Sequence, residues 1–551
     1  MGRRLEATSF FGGGVERKAI VLGFDGLDPK LVLAWEARLP NFRRLISSAA
    51  WGPLRSTIHP LTPQAWTSLV CGTNPGKHGI FDFGRRARNS YRIELVNSSH
   101  RKTWSIWELA SDAGVKVGIF NVPLSWPPDE VNGFMICGMH SPSIESISYP
   151  AELSRELMKN IPHYRIDAMI HWYDDESEFL DDCMDMIEQR WKAADWLWNK
   201  FKPQLFMPVF VATDRIMHAL WHTLPDRIED TPDDNPVFAI HRKLDEVLGW
   251  ALELCTDDDL LVVCSDHGFG PLKKDVYLNR FLADAGYLRF DPEKVRKFKR
   301  RIDPDSRRDP RHGWHLKRYG EPPPLPSDDE LIELGKVDPW YLDFEVVDWK
   351  RTFAYSFGMM GNIFINTEGR EPEGIVRWGR EYEETRDRII RDLKSLVDPD
   401  DGEPLASAIY RREELYWGPG FWDAPDVVVV LRDYAYTTRG ATEFWGERRL
   451  TAEPVVPHSG NHRLNGFFAA RGSDIPARRI EGIELTDVAP FVMAHLGIPL
   501  PQYIDGKRLI SMYNDSFAWE KRRLERGAEA GYRENEENAV GKRLRDLGYL
   551  G

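Results

Sequence analysis

Residues 260–270 read LLVVCSDHGFG. The apolar run Leu260–Cys264 leads, after one serine, into Asp266 and His267, and glycines follow. A short continuous apolar run closed by such residues predicts a strand buried on both faces. Adjacent side chains on regular structure point apart, but at a glycine-rich strand end both can reach one place from different sides. Working outward, the same arrangement recurs. Ala19–Phe24 ends in Asp25 and Gly26, and Leu205–Ala212 runs into ATDRIMHALWH, residues 212–222. There Asp214 and His218 stand four apart, on one face of a helix, and His222 extends that face. Val115–Val122, Val427–Leu431 and Gly466–Ala470 are further apolar runs, and all six are read as parallel strands. Helical patterns lie between them, over Thr103–Ala113 and from about Glu178 to Lys200. Strands alternating with helices predict an α/β fold with a mostly parallel sheet covered by helices on both faces. In such sheets ligands gather beyond the carboxyl ends of the strands.

The rhythm breaks after His267. Residues 291–330 are rich in charge and proline, as in KVRKFKRRIDPDSRRDPRHGWHLKR and EPPPLPSDDE, and read as an inserted, partly mobile loop. Order returns with FAYSFGMMGNIFIN and a helix predicted over Gly379–Val397. The expected organisation is a core of residues 18–270 and 456–515, a cap or lid inserted at 271–455, and a charged helical tail at 516–551. The cap leaves and re-enters the core beside candidate site residues, so it is expected to lie over the site.

Two more segments carry chemistry. Thr62 sits in HPLTPQAWTSLVCGTNPGKHGIF, residues 59–81, between Pro60 and Pro63, at the expected start of a helix. That end of a helix attracts phosphate. A threonine hydroxyl becomes a useful nucleophile when a metal lowers its pKa; its bland reading is an N-cap. His462 lies in HSGNHRLNGFFAARG, residues 458–472, with His458 as its competitor. Singly, an Asp-Gly turn, a capping threonine or a surface Asp/His pair would explain these residues. Together Asp25, Thr62, Asp214, His218, Asp266, His267 and His462 supply three carboxylates, three imidazoles and a hydroxyl. That set can hold two divalent metals around a nucleophile, and metals about 4 Å apart can clamp the attacking and leaving oxygens of a phosphoryl transfer. Hydrolysis of phosphate esters is the implied chemistry.

The order of these motifs is D-G, a threonine before G-x-x-P-x-x-H-G, D-x-x-x-H, D-H-G and a late histidine. It resembles the alkaline phosphatase superfamily, and within it the type I phosphodiesterase/nucleotide pyrophosphatase branch and its predicted phosphohydrolase or phosphomutase group. The likeness covers residues 18–275 and 350–510, including INTEGREPEGIV and LTDVAPFVMAHLGIPLPQYIDGKRL. It implies an alkaline-phosphatase-like core. One metal would be held by Asp214, His218 and His462, the other by Asp25, Asp266, His267 and the Thr62 oxygen, with zinc expected and manganese as the alternative. Thr62 would attack phosphorus, pass through a phosphothreonine and be released by water. Two departures matter. Nucleotide pyrophosphatases carry an asparagine five residues after the histidine of the H-G-I block, where this chain has Phe83, preceded by Asp82. Phe83, Arg85 and Lys102, with Arg86, are therefore the candidate substrate contacts. The sulfatase motif C-x-P-S-R is absent near Thr62, which disfavours a sulfatase. Diester cleavage is favoured. The alternatives are a monoesterase, a phosphomutase, against which Thr62 counts because mutases use serine, and a binding protein on a dead hydrolase fold.

The expected partner is a small phosphate ester. A net charge of −13 argues against a stable nucleic-acid partner. No run approaches 18 apolar residues, so no membrane span is expected, and the start MGRRLEATSFFGGG lacks the apolar core of a signal peptide. Five cysteines without C-x-x-C spacing read as free thiols in a reducing cytoplasm. The basic stretch 294–318 reads as solvated lid, and the tryptophans as core and cap packing.

Overall fold

The computed structural model describes residues 17–168, 173, 175–294, 344–438, 450–454, 458–513, 517–524, 526 and 531–546. The strands that concern the site are, in chain order, β1 (Ala19–Phe24), β2 (Ala50–Arg55), β3 (Val117–Phe120), β4 (Gly133–Ile136), β5 (Ser148–Tyr149), β6 (Leu205–Phe210), β7 (Leu260–Cys264) and β8 (Gly268–Pro271). There follow β9 (Ala354–Ser356), β10 (Asn362–Ile365), β11 (Ala406–Arg411), β12 (Val427–Leu431), β13 (Gly460–Arg463), β14 (Asn465–Arg471), β15 (Arg478–Arg479) and β16 (Ile483–Glu484). The main sheet runs β15-β2-β14-β7-β1-β6-β3-β4-β5, with β16 also on β2. Its middle, β7-β1-β6-β3-β4, is parallel throughout.

Every residue of β1, β6 and β7 is buried. This is why their sequences are unbroken apolar runs rather than alternating ones. Helices flank the sheet in two packed groups. Pro236–Leu254 contacts Pro40–Ser48, Glu176–Phe201 and Ala212–Leu220, and Val488–His495 contacts both Thr62–Cys71 and Ile106–Asp112. The fold is the expected α/β architecture.

Two of the six runs read as parallel strands behave otherwise. The Gly466–Ala470 run becomes β14, antiparallel to both β2 and β7. Val427–Leu431 is outside the main sheet altogether; it is β12, antiparallel to β10 and β11 in the separate sheet β9-β10-β12-β11. A strand covered on both faces needs apolar residues whatever its direction, so composition alone did not carry orientation. Boundaries also tighten. The 115–122 run is extended only over Val117–Phe120, because Val115 still donates to Ala110 and Asn121 turns with φ 62°. The expected helices occupy Ile106–Asp112, Glu176–Phe201 and Arg380–Lys394. Past Ser511 the chain is not helical throughout: Trp519–Glu520 pairs with Leu500–Pro501, and a helix follows at Glu534–Asp546. Most of 291–330, including all but Lys294 of the basic stretch, lies outside the described residues.

The four-stranded sheet has its own core, built on Tyr355, Ile363, Ile365, Val427 and Val429. A second apolar cluster joins Met359, Met360, Tyr416, Val428 and Tyr434 of this region to Ile58, Leu61 and Phe83. The stretch before Thr62 is thus packed against the inserted sheet. Among the described residues no helix is long and apolar enough to cross a membrane.

Candidate metal centre

The carboxyl ends of three adjacent parallel strands meet at one point. Asp25 follows β1, Asp266 follows β7, and Asp214 opens the helix α1 (Ala212–Leu220) that follows β6. Gly26 makes the first turn workable. Its φ is +73°, and a Cβ there would lie 3.3 Å from the Asp214 Cα. One turn along α1, His218 shares the face of Asp214. His462 arrives from β13, which pairs with β8 so that Phe269 stands opposite His462. That ribbon brings the late histidine beside the Asp266-His267 segment.

Six side chains form two clusters of potential ligand atoms: Asp214, His218 and His462, and Asp25, Asp266 and His267. In the first, Asp214 Oδ1 lies 3.4 Å from His218 Nε2 and 3.2 Å from His462 Nε2. In the second, His267 Nε2 lies 3.5 Å from Asp25 Oδ1 and 3.3 Å from Asp266 Oδ2. The clusters touch, since His267 Nε2 is 3.9 Å from Asp214 Oδ1 and the His267 and His462 rings stack with centroids 3.5 Å apart. Thr62 is the first residue of the helix α2 (Thr62–Cys71), with Leu61 at the cap and Pro63 in the first turn, and Gly72, in the left-handed region, ends it. His462 Nδ1 bonds the carbonyl of Pro60, two residues before Thr62.

Each side chain is held at one end. The Nδ1 atoms of His218, His267 and His462 bond the carbonyls of Gly460, Gly268 and Pro60. This directs every Nε2 inward. Trp66 Nε1 donates to Asp25 Oδ2 at 2.9 Å, the Gly26 amide donates to Asp266 Oδ1 at 3.3 Å, and Arg215 donates to Asp214 Oδ2. Arg215 is itself fixed by Asp167 at 2.7 and 3.0 Å. The other atoms are left over. Asp25 Oδ1, Asp266 Oδ2, His267 Nε2 and Thr62 Oγ1 are buried with no hydrogen-bond partner among the described residues. Buried polar atoms left without a partner are rare and costly. Three of them, Asp25 Oδ1, Asp266 Oδ2 and His267 Nε2, converge, with the imidazole nitrogen 3.5 and 3.3 Å from the two oxygens, and fit a divalent cation.

The electrostatics agree. Burial, then the neighbouring Asp214 charge, drives Asp25 well above its usual pKa; burial with Asp25 and Asp214 does the same to Asp266. Burial also acts against the Asp214 charge, but His218 and Arg215 outweigh it and hold that carboxyl well below its usual range. Burial, with His462 adding to it, keeps His267 far below the ordinary imidazole value, and burial lowers His462 as well. Neutral imidazoles are what a metal requires.

The other candidates stand elsewhere. His458 stacks on His218 at 4.7 Å, outside both clusters. His222 is half-exposed and faces Ser459. Phe83 is fully buried in the apolar cluster with Ile58 and Leu61. Arg85 donates to Glu94 within the Gly84–Arg86/Ile93–Leu95 hairpin, Arg86 donates to Tyr355 and Glu371, and Lys102 pairs with Asp423. These side chains are held by structural partners outside the two clusters. Sequence reading passed over Trp66, Arg215 and Asp167. The first two carried a signal: Trp66 is one helical turn after Thr62, and Arg215 adjoins Asp214.

The sequence model of type I phosphodiesterases/nucleotide pyrophosphatases matches residues 19–451. The chain belongs to that family. It is accordingly a phosphoric ester hydrolase, and enzymes of this family are generally metal-dependent. No match was found among curated proteins. Among solved structures, phosphonoacetate hydrolase from Sinorhizobium meliloti 1021, in complex with phosphonoacetate, is 15% identical with a TM-score of 0.50. That match covers 87% of this chain and 96% of the other. Murine ectonucleotide pyrophosphatase/phosphodiesterase 5 is 14% identical with a TM-score of 0.48, covering 91% and 99%. The family's alkaline-phosphatase-like fold is the one described above.

Proposed function

We propose that this family member is a two-metal hydrolase that cleaves phosphate esters, diesters ahead of monoesters, through a phosphothreonine on Thr62. The observation that carries the reading is the convergence of unpartnered Asp25 Oδ1, Asp266 Oδ2 and His267 Nε2 beside the Asp214–His218–His462 cluster; Thr62 Oγ1 is likewise buried without a hydrogen-bond partner among the described residues. Asp214, His218 and His462 would hold one ion; Asp25, Asp266, His267 and the Thr62 oxygen would hold the other. Divalent ions in these positions, zinc by the mixed donor chemistry and manganese as the alternative, supply phosphoryl polarisation and a more acidic threonine hydroxyl.

The protein's own part is positioning. Thr62 sits at the first turn of α2, where the helix end favours an incoming anion. Its oxygen bonds to phosphorus as the ester P–O bond breaks; the alcohol leaves with a proton, and water then cleaves the phosphothreonine. Trp66, Gly26 and the three backbone carbonyls keep the ligand atoms aimed. Residues 271–455 act as a cap over the centre; the packing of Tyr416 and Met359 against Ile58 and Leu61 supports this. The five free thiols accord with a reducing compartment.

The test is turnover of aryl phosphate mono- and diesters by the zinc- or manganese-loaded protein, run in isotopically labelled water. Metal-dependent cleavage with label in the phosphate product is expected. Phosphate passed to an acceptor alcohol without label would make the protein a mutase.

A further inference from the structure

The sheet edge that carries Asp25, Asp214 and Asp266 continues to β4, which runs parallel to β3 and so to β6. The loop leaving that end of β4 reaches the metal centre through Met139. The Met139 sulfur accepts from Arg215 Nη2 at 3.2 Å, the nitrogen that also donates to Asp167 Oδ2 at 3.0 Å. Nη1 of the same guanidinium donates to Asp214 Oδ2. Met139 is therefore one side chain away from a candidate ligand. The next residue, His140, has φ +77°. A non-glycine residue stays in that left-handed region only where its neighbours fix it.

Those neighbours include the far end of the chain. Tyr532 donates its hydroxyl to the His140 carbonyl at 2.8 Å, and Arg543 Nη1 donates to the Ser141 carbonyl at 2.5 Å. Val540 and Leu544, 0% and 1% exposed, belong to the apolar cluster that also holds Met139, Ile58 and Leu61. They stand four apart in the helix Glu534–Asp546 and so share one face. The segment is anchored ahead of these contacts as well. Arg526 donates to Glu108 at 2.6 Å and to the Ser98 carbonyl at 3.1 Å, and it pairs with Asp129. The Tyr532 ring stacks on Trp126 with centroids 4.7 Å apart and planes 1° from parallel. Apolar packing alone would cover the core. Donors placed on two successive carbonyls of one strained loop fix its conformation too.

Resting on the reading of Asp214, His218 and His462 as one metal half-site, we propose that Tyr532–Leu544 is a strap that positions this half-site. The strap fixes His140 and Met139, Met139 backs Arg215, and Arg215 sets the Asp214 carboxylate. Asp25 and Asp266 are oriented by different groups, the Trp66 indole and the Gly26 amide. The two ions should therefore respond unequally to changes in the strap, which separates positioning from general stability.

The experiment uses full-length protein and measures the affinity for two zinc ions by competition with a chromophoric chelator. Tyr532→Phe keeps the ring for Trp126 and removes the bond to His140. Met139→Leu keeps an apolar side chain of similar volume and removes the sulfur acceptor. Arg522→Ala is the control, because it breaks the ion pair of the C-terminal segment with Asp112 rather than a contact to the loop. Tyr532→Phe and Met139→Leu should each weaken one zinc ion roughly fivefold, less than the ~10- to 100-fold of a partner that touches the ligand itself. The ion weakened should be the one that His218→Ala abolishes. Arg522→Ala should leave both affinities unchanged. Acting along one path, the two strap substitutions combined should cost less than the product of their separate effects. Unchanged affinity for both ions, equal weakening of both, or weakening of the ion that survives His218→Ala overturns the strap while leaving the metal centre standing. A parent protein that binds fewer than two zinc ions removes the two-metal reading, and this proposal with it.

Discussion

The two ligand clusters are built from the same residue types and differ in how their charge is balanced. The Asp214 cluster contains its own compensation: Arg215 donates to one oxygen, Asp167 fixes Arg215, and two imidazoles face the other oxygen. The Asp25 cluster has two carboxylates, one imidazole and no cation. The Trp66 indole and the Gly26 amide steady it, and burial with mutual repulsion raises both of its acids. The first can exist as a folded ion-pair network by itself. The second holds two buried carboxylates that no cation of its own cluster offsets.

The largest test of that contrast concerns the hydroxyl assigned to the second cluster. Thr62→Ala should lower turnover by roughly 10⁴-fold or more, as loss of a nucleophile does, while metal content stays near that of the parent. Both are to be measured on one preparation; near-normal turnover with metal present would mean another group attacks. Next, Asp214→Asn should destabilise the metal-free protein by about 3 kcal/mol, since it strands Arg215 as a buried, under-compensated cation. Denaturant unfolding in chelator reads this, and an unchanged midpoint would show that Arg215 is satisfied by Asp167 alone.

Trp66→Phe removes only the indole donor to Asp25. Metal affinity should fall about 10- to 100-fold, the usual cost of losing an outer-shell hydrogen bond, with the apo protein still folded. A competitive chelator titration measures it, and equal affinities would deny the indole any orienting role. Smallest, and opposite in sign, is Asp266→Asn. An acid with a raised folded-state pKa costs stability once the pH exceeds its unfolded value, so at neutral pH its removal should stabilise the metal-free protein. The gain should be on the order of 1 kcal/mol, with turnover lost. Destabilisation instead would show that the Gly26–Asp266 contact outweighs the repulsion.

Much of this arrangement was legible in the chain. Apolar runs ending in Asp25, Asp266 and the Asp214 helix marked strand ends, because a strand buried on both faces leaves no alternation to confuse the reading. The ligand types followed from local contexts. Strand direction was not legible, as β12 and β14 show: burial sets composition, whereas direction is set by connections. The partners of the ligands were legible only where adjacent in sequence. Asp167 was not, since it is an ordinary residue until Arg215, 48 positions on, folds against it.

The β8–β13 ribbon has a consequence in time. His218 and His462 meet across 244 positions of sequence, and the strand that delivers His462 is made after the whole inserted region. On a growing chain, Asp25, Thr62, Asp214, His218, Asp266 and His267 all emerge before the segment that completes the first cluster. An ion captured early could find the Asp25 cluster but only part of its neighbour. Were both clusters to hold metal, full loading would report that synthesis has passed the late histidine and that the ribbon has closed.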